Sequence, residues 1–103
     1  MIAAVENKLE ELAILCQRYG VRKLELFGSA ASPGDFDPQS SDVDFLVEFQ
    51  ASDAMGPADQ YFGLWEELKV LFGRDVDLVT VRSMRNPYFI KAVNETRQVL
   101  YAC

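Results

Sequence analysis

Residues 41–49 read Ser-Asp-Val-Asp-Phe-Leu-Val-Glu-Phe, an alternating apolar run that carries two aspartates, Asp42 and Asp44, two positions apart. Apolar residues at period two, rich in β-branched and aromatic side chains, specify a strand. In a strand, residues i and i+2 share a face and stand about 6.5–7 Å apart along the axis. Asp42, Asp44, Leu46 and Glu48 therefore face one way, and Val43, Phe45, Val47 and Phe49 the other, which is the face expected in the core. Two carboxylates projecting together have the spacing of a metal clamp. Hard divalent cations such as Mg²⁺ take oxygen ligands, and two of them about 3.5–4 Å apart hold both oxygens of an in-line phosphoryl displacement.

Two further segments belong with this one. Val21–Phe27 alternates as well, with Leu24 and Leu26 on one face and Lys23 and Glu25 on the other, and it delivers the chain to Gly28-Ser29. Small residues at the end of a strand suit a turn whose backbone comes close to a phosphate. Residues 74–81 predict another strand, with Asp75, Asp77 and Val79 on one face. On geometry alone Asp75 and Asp77 are rivals for a third carboxylate, one pleat apart.

The remaining segments read as helices and connectors. Val5, Leu9, Leu12, Cys16 and Tyr19 recur at helical spacing and predict a first helix closed by Gly20. Tyr61, Leu64, Trp65, Leu68, Leu71 and Phe72 trace a second helical stripe, entered through Gly56-Pro57 and ending near Gly73. A short helix over residues 87–94 turns Phe89, Ile90 and Val93 inward, and residues 99–101 supply a last short strand. Pro33-Gly34 and Asp37-Pro38 make residues 32–41 a loop. The pattern predicts a small α/β (α+β) fold with a mixed sheet of three to four strands and helices packed on one face. A chain of 103 residues is expected to be a single domain, 1–103, with no room for a second, substrate-recognising one.

Composition narrows the chemistry. The chain has no histidine, which excludes Ser-His and Cys-His nucleophilic catalysis and histidine-ligated zinc. Cys16 falls on an apolar helix face and Cys103 at the end of the chain, a spacing that gives neither a disulfide framework nor a metal site. A net charge of −6 with scattered basic residues disfavours direct nucleic-acid binding. No stretch approaches the roughly 20 apolar residues of a membrane span and no secretory signal is evident, so a cytoplasmic location is expected.

Gly28-Ser29, then Asp42-x-Asp44, then Val76-Asp77-Leu78-Val79, in that order, resemble the minimal nucleotidyltransferase (MNT) family of the DNA polymerase β superfamily over nearly the whole chain. The resemblance implies a polymerase β-like fold and transfer of AMP from ATP to a hydroxyl. By resemblance, Asp42 and Asp44 hold Mg²⁺, Asp77 completes the metal site and takes the hydroxyl's proton, and Gly28 and Ser29 contact the phosphates. It favours Asp77 over Asp75, because Asp77 immediately precedes Leu-Val. It also implies a partner, a HEPN-domain toxin modified on a tyrosine, for which the chain would be the antitoxin, within a homo- or hetero-oligomer. A module that neutralises a toxin by occlusion and transfer onto a small molecule are the alternatives. The chain departs from the family after Gly28-Ser29, where Ala30-Ala31-Ser32-Pro33-Gly34 lacks the usual arginine and twelve residues precede Asp42, a longer connection than is usual.

Overall fold

The computed structural model describes residues 2–31 and 42–103; the loop expected over 32–41 lies outside the described residues. In chain order the elements are α1 (Ala3–Glu6), α2 (Leu9–Arg18), β1 (Val21–Phe27), a 3₁₀ turn (Gly28–Ala31), β2 (Val43–Phe49), α3 (Pro57–Phe72), β3 (Val76–Thr80), a second 3₁₀ turn (Val81–Ser83), α4 (Pro87–Thr96) and β4 (Gln98–Ala102). The strands form one mixed sheet in the order β3-β2-β1-β4. β1 runs antiparallel to both β2 and β4, whereas β2 and β3 are parallel. A parallel pair cannot be closed by a tight hairpin and needs a crossover, and α3 supplies it.

The expected first helix is broken in two. The Lys8 N–H donates to the Val5 oxygen at 3.0 Å, an i−3 bond that tightens the turn, and Lys8 takes φ −116°. The break rotates α2 relative to α1, so Leu9 is 39 % exposed while Leu15, absent from the expected stripe, is buried beside Leu12 and Cys16. Gly20 ends this region with φ +67°. The Gly20 carbonyl accepts from the Gln50 N–H at 2.8 Å, which ties the end of the helical arm to the end of β2.

α3 follows its stripe closely. Pro57 opens it and Gly73, at φ +63°, closes it. Leu64 and Leu68 are fully buried, with Tyr61, Trp65, Leu71 and Phe72 packed at the margin of the same core. The main core lies between α2 and α3 and the sheet face bearing Leu24, Leu26, Val43, Phe45, Val47 and Leu78. Burial of each such side chain contributes roughly 1.5–3 kcal/mol, and Phe45 adds a ring contact with Phe72 at 5.6 Å between centroids.

The expectation of helices on one face holds for α1, α2 and α3. α4 adds a small layer on the opposite face, because Phe27 and Leu46 point that way and need cover. Val93 buries against both, and Phe89 meets Phe27 edge-on at 5.8 Å.

α3 also finishes the β3 edge of the sheet. The Val43 N–H reaches the Asp75 carbonyl, so the carbonyls of the alternate residues, Val76 and Leu78, point away from β2. Trp65 Nε1 donates to the Val76 oxygen at 2.9 Å and the Tyr61 hydroxyl to the Leu78 oxygen at 2.6 Å.

Candidate active site

The carboxylates expected to act together come from adjacent strands. In the parallel ladder Asp44 is paired with Asp77, and paired residues of neighbouring strands direct their side chains to the same face. Their neighbours Phe45 and Leu78 take the core face, which leaves Asp44 and Asp77 on the other. Asp42 stands immediately before β2 and is exposed, as are Asp75 and Asp77, whereas Asp44 is half-buried.

Electrostatics separates the rival aspartates. Burial first, and then the charges of Asp77 and Asp42, push the Asp44 carboxyl up from its ordinary 3.8 to about 6. Asp75 is not among the groups acting on it. Asp42 and Asp77 thus both act on Asp44. A cation beside Asp44 would offset the cost of its charge. The donors of the three aspartates are all oxygens, with no thiol or imidazole among them, and suit a hard divalent cation such as Mg²⁺. Among the described residues no three acidic, thiol or imidazole groups already converge as a cage.

Gly28 lies beneath Asp44. β1 pairs Phe27 with Asp44, and Gly28, next in the chain, has φ +74°, a left-handed conformation that favours glycine. A Cβ built on Gly28 would come within 2.5 Å of Asp44 Oδ2. Conformation and space both favour glycine here. Its backbone N–H, expected to meet a phosphate, is already committed: it donates to Thr96 Oγ1 at 2.8 Å. Ser29, half-buried in the 3₁₀ turn, is the member of the pair placed to offer a hydroxyl.

The end of α4 that carries Thr96 is itself pinned to β1. Arg97 Nη2 and Nε donate to the two oxygens of Glu25 at 2.6 and 2.8 Å, and Arg97 Nη1 donates to Asn94 Oδ1 at 2.7 Å. The Glu25 side chain is 4 % exposed, and its hydrogen bonds from Arg97 hold the carboxyl below its ordinary range. Nothing in the sequence marks Thr96, Arg97 or Glu25, since their partners lie about seventy residues away along the chain. Two concavities among the described residues lie elsewhere, one between α2 and α3 and one at the carboxyl ends of β2 and β3; neither is lined by Gly28, Asp42, Asp44 or Asp77.

A glycine turn thus packs under one aspartate, itself in register with another on a parallel strand. The profile of the nucleotidyltransferase domain family matches residues 10–100. The chain belongs to the nucleotidyltransferase domain family. Two proteins of Methanocaldococcus jannaschii, provisionally named protein adenylyltransferases, are similar to this nucleotidyltransferase. The first is 38 % identical over 82 residues, covering 80 % of this chain and 79 % of its own. The second is 36 % identical over 83 residues with the same coverage. Among solved structures, one described as a minimal nucleotidyltransferase superposes with a TM-score of 0.72 at 26 % identity, over 91 % of this chain and 90 % of that one. A chain from the complex of tri-AMPylated HEPN toxin with MNT antitoxin of Shewanella oneidensis shares the fold, with a TM-score of 0.64 at 19 % identity over 96 % of this chain and 73 % of that one. The mixed sheet of this nucleotidyltransferase is therefore the polymerase β-like one.

Proposed function

We propose that this nucleotidyltransferase transfers AMP from ATP to a tyrosine hydroxyl of a partner toxin of the HEPN type, in the cytoplasm, and thereby acts as its antitoxin. The observation that carries the reading is the pairing of Asp44 with Asp77 above the Gly28 turn, in a chain similar to proteins named for protein adenylylation. Asp42, Asp44 and Asp77 would hold Mg²⁺, which when bound neutralises the charge of the triphosphate and of the leaving pyrophosphate. The chain's own residues then have distinct tasks. Asp42 and Asp44, two apart at the head of β2, would supply carboxylate oxygens to that cation from one side. Ser29 donates its hydroxyl to a phosphate oxygen from the 3₁₀ turn, and Gly28 keeps the turn close by having no side chain. Asp77, exposed on the outer strand where an acceptor can approach, takes the tyrosine proton on a carboxylate oxygen. The phenolate oxygen bonds to the α-phosphorus as the bond from that phosphorus to the β-bridging oxygen breaks, and pyrophosphate leaves with the electron pair.

No helix among the described residues is long and apolar enough to cross a membrane, in keeping with a partner met in solution. The experiment is adenylylation of the co-expressed toxin followed by intact-mass spectrometry, with the parent chain and with Asp42→Asn/Asp44→Asn. The parent is expected to add AMP to the toxin in the presence of Mg²⁺ and the double variant to add none and to lose neutralisation. A double variant that protects cells as well as the parent, with no mass added to the toxin, would replace catalysis by occlusion.

A further inference from the structure

A glycine turn beneath a triphosphate has an obvious use for its N–H, yet the Gly28 N–H is given to Thr96 Oγ1 at 2.8 Å, on a helix far along the chain. The acceptor is firmly placed. Thr96 is the last residue of α4. The residue after it, Arg97, grips the buried Glu25 in the strand that leads into Gly28. On the other side of the same turn the Asp44 carboxylate occupies the space where a Gly28 side chain would stand. Gly28 is thus held between Thr96 on one side and Asp44 on the other.

We propose that Thr96 is a positioning residue for adenylyl transfer: by accepting the Gly28 N–H it sets the turn against which the Asp44 carboxylate rests. Thr96 touches neither nucleotide nor acceptor in this scheme and acts through Gly28. The inference rests on the adenylyl-transfer reading above. Small misplacements of groups around a reacting centre lower rate steeply. The turn carries Ser29 and abuts Asp44, so nucleotide binding and turnover both depend on it.

The test compares Thr96→Val, which keeps the shape and removes the acceptor, with Thr96→Ser, which keeps the acceptor. Thr96→Val is expected to lower kcat/KM for AMP transfer by on the order of tenfold. The Gly28 amide, followed by ¹H–¹⁵N NMR in the nucleotide-free protein, is expected to lose its hydrogen-exchange protection in the same variant. Thr96→Ser should restore both. An active parent with an equally active Thr96→Val would overturn the proposal, as would a Gly28 amide unchanged by Thr96→Val, or a serine variant as impaired as the valine one. A parent that transfers no AMP would instead overturn the adenylyl-transfer reading, whatever the amide reports.

Discussion

The two faces of the sheet are built to different ends. On the α2/α3 side, Leu24, Leu26, Phe45 and Val47 have 0 % exposure and no charge interrupts them. On the α4 side, a small apolar patch of Phe27, Leu46 and Val93 is flanked by the half-buried Glu25–Arg97 pair and by Asp42, Asp44 and Asp77. The same strands serve both, since alternate residues of β1 and β2 go to opposite faces. One face therefore supplies the stability that lets the other carry charges in partial burial. Substitutions on the first should unfold the protein, and substitutions on the second should change its pH response and its activity.

The largest effect is expected from Phe45→Ala, which empties a fully buried site beside Phe72. Truncation of a buried phenylalanine costs about 3–5 kcal/mol, enough to bring a domain of this size near its unfolding threshold. Urea denaturation should show the midpoint collapse, with AMP transfer lost only in proportion to the unfolded fraction. Retention of most of the midpoint would mean that the α2/α3 face is not the main source of stability.

Next in size is Arg97→Met. Glu25 would keep only Lys23, at 3.4 Å, as a charged partner. Stranding a buried charge is costly, but Arg97 is 32 % exposed and solvent screens part of the pair, so about 2 kcal/mol at neutral pH is expected. The sign with pH comes from the depressed Glu25 carboxyl. Its contribution is fully present above the unfolded-state value and is lost as pH falls through the lower, folded-state one. Stability curves of parent and variant should therefore converge in acid; a gap that persists there would assign Arg97 a packing role instead.

Gly28→Ala should cost roughly 1–2 kcal/mol for the left-handed backbone, and it places a methyl group on Asp44. Activity is expected to vanish while most of the fold remains by circular dichroism. An active alanine variant would show that the turn moves freely of Asp44.

A stability change of similar size but opposite sign is expected from Asp44→Asn in metal-free protein. The raised Asp44 carboxyl means that the folded state holds a proton more tightly than the unfolded one. That contribution is complete below about 3.8 and is lost as pH rises through about 6. The asparagine variant lacks this slope and should be more stable than the parent above pH 6 by roughly 1 to 2 kcal/mol, discounted for partial exposure. A companion pair, Asp77→Asn inactive and Asp75→Asn nearly normal, would confirm which of these two neighbouring aspartates acts with Asp44.

The elements readable from sequence are those that local rules govern. α3 was legible because its stripe, its opening Pro57 and its closing Gly73 all agree, and the strands because their alternation is clean. Asp42 and Asp44 were legible from the spacing of β2, whereas Asp77 came from a resemblance; the parallel ladder pairs it with Asp44. The break at Lys8 was not legible, since Leu9 and Leu12 continue a helical spacing that only the packing of Val5 and Leu15 overrides. Glu25 looked like a solvated strand residue because its cation is Arg97, 72 positions away. The Gly28 amide had the same obscurity: an N–H is invisible in sequence until its acceptor is known.

The two hydrogen bonds from α3 to the outer carbonyls of β3 bear on how this protein lives among its own copies. A peripheral strand with bare carbonyls is a template on which another chain can lay a strand of its own, the first step toward fibrils. Trp65 and Tyr61 occupy those acceptors at Val76 and Leu78, so two helix side chains close the sheet at the place where the open margin also carries Asp77. The strand proposed to present a carboxylate to the acceptor is thereby kept from presenting those two carbonyls to an incoming strand, by the same helix that connects β2 to β3.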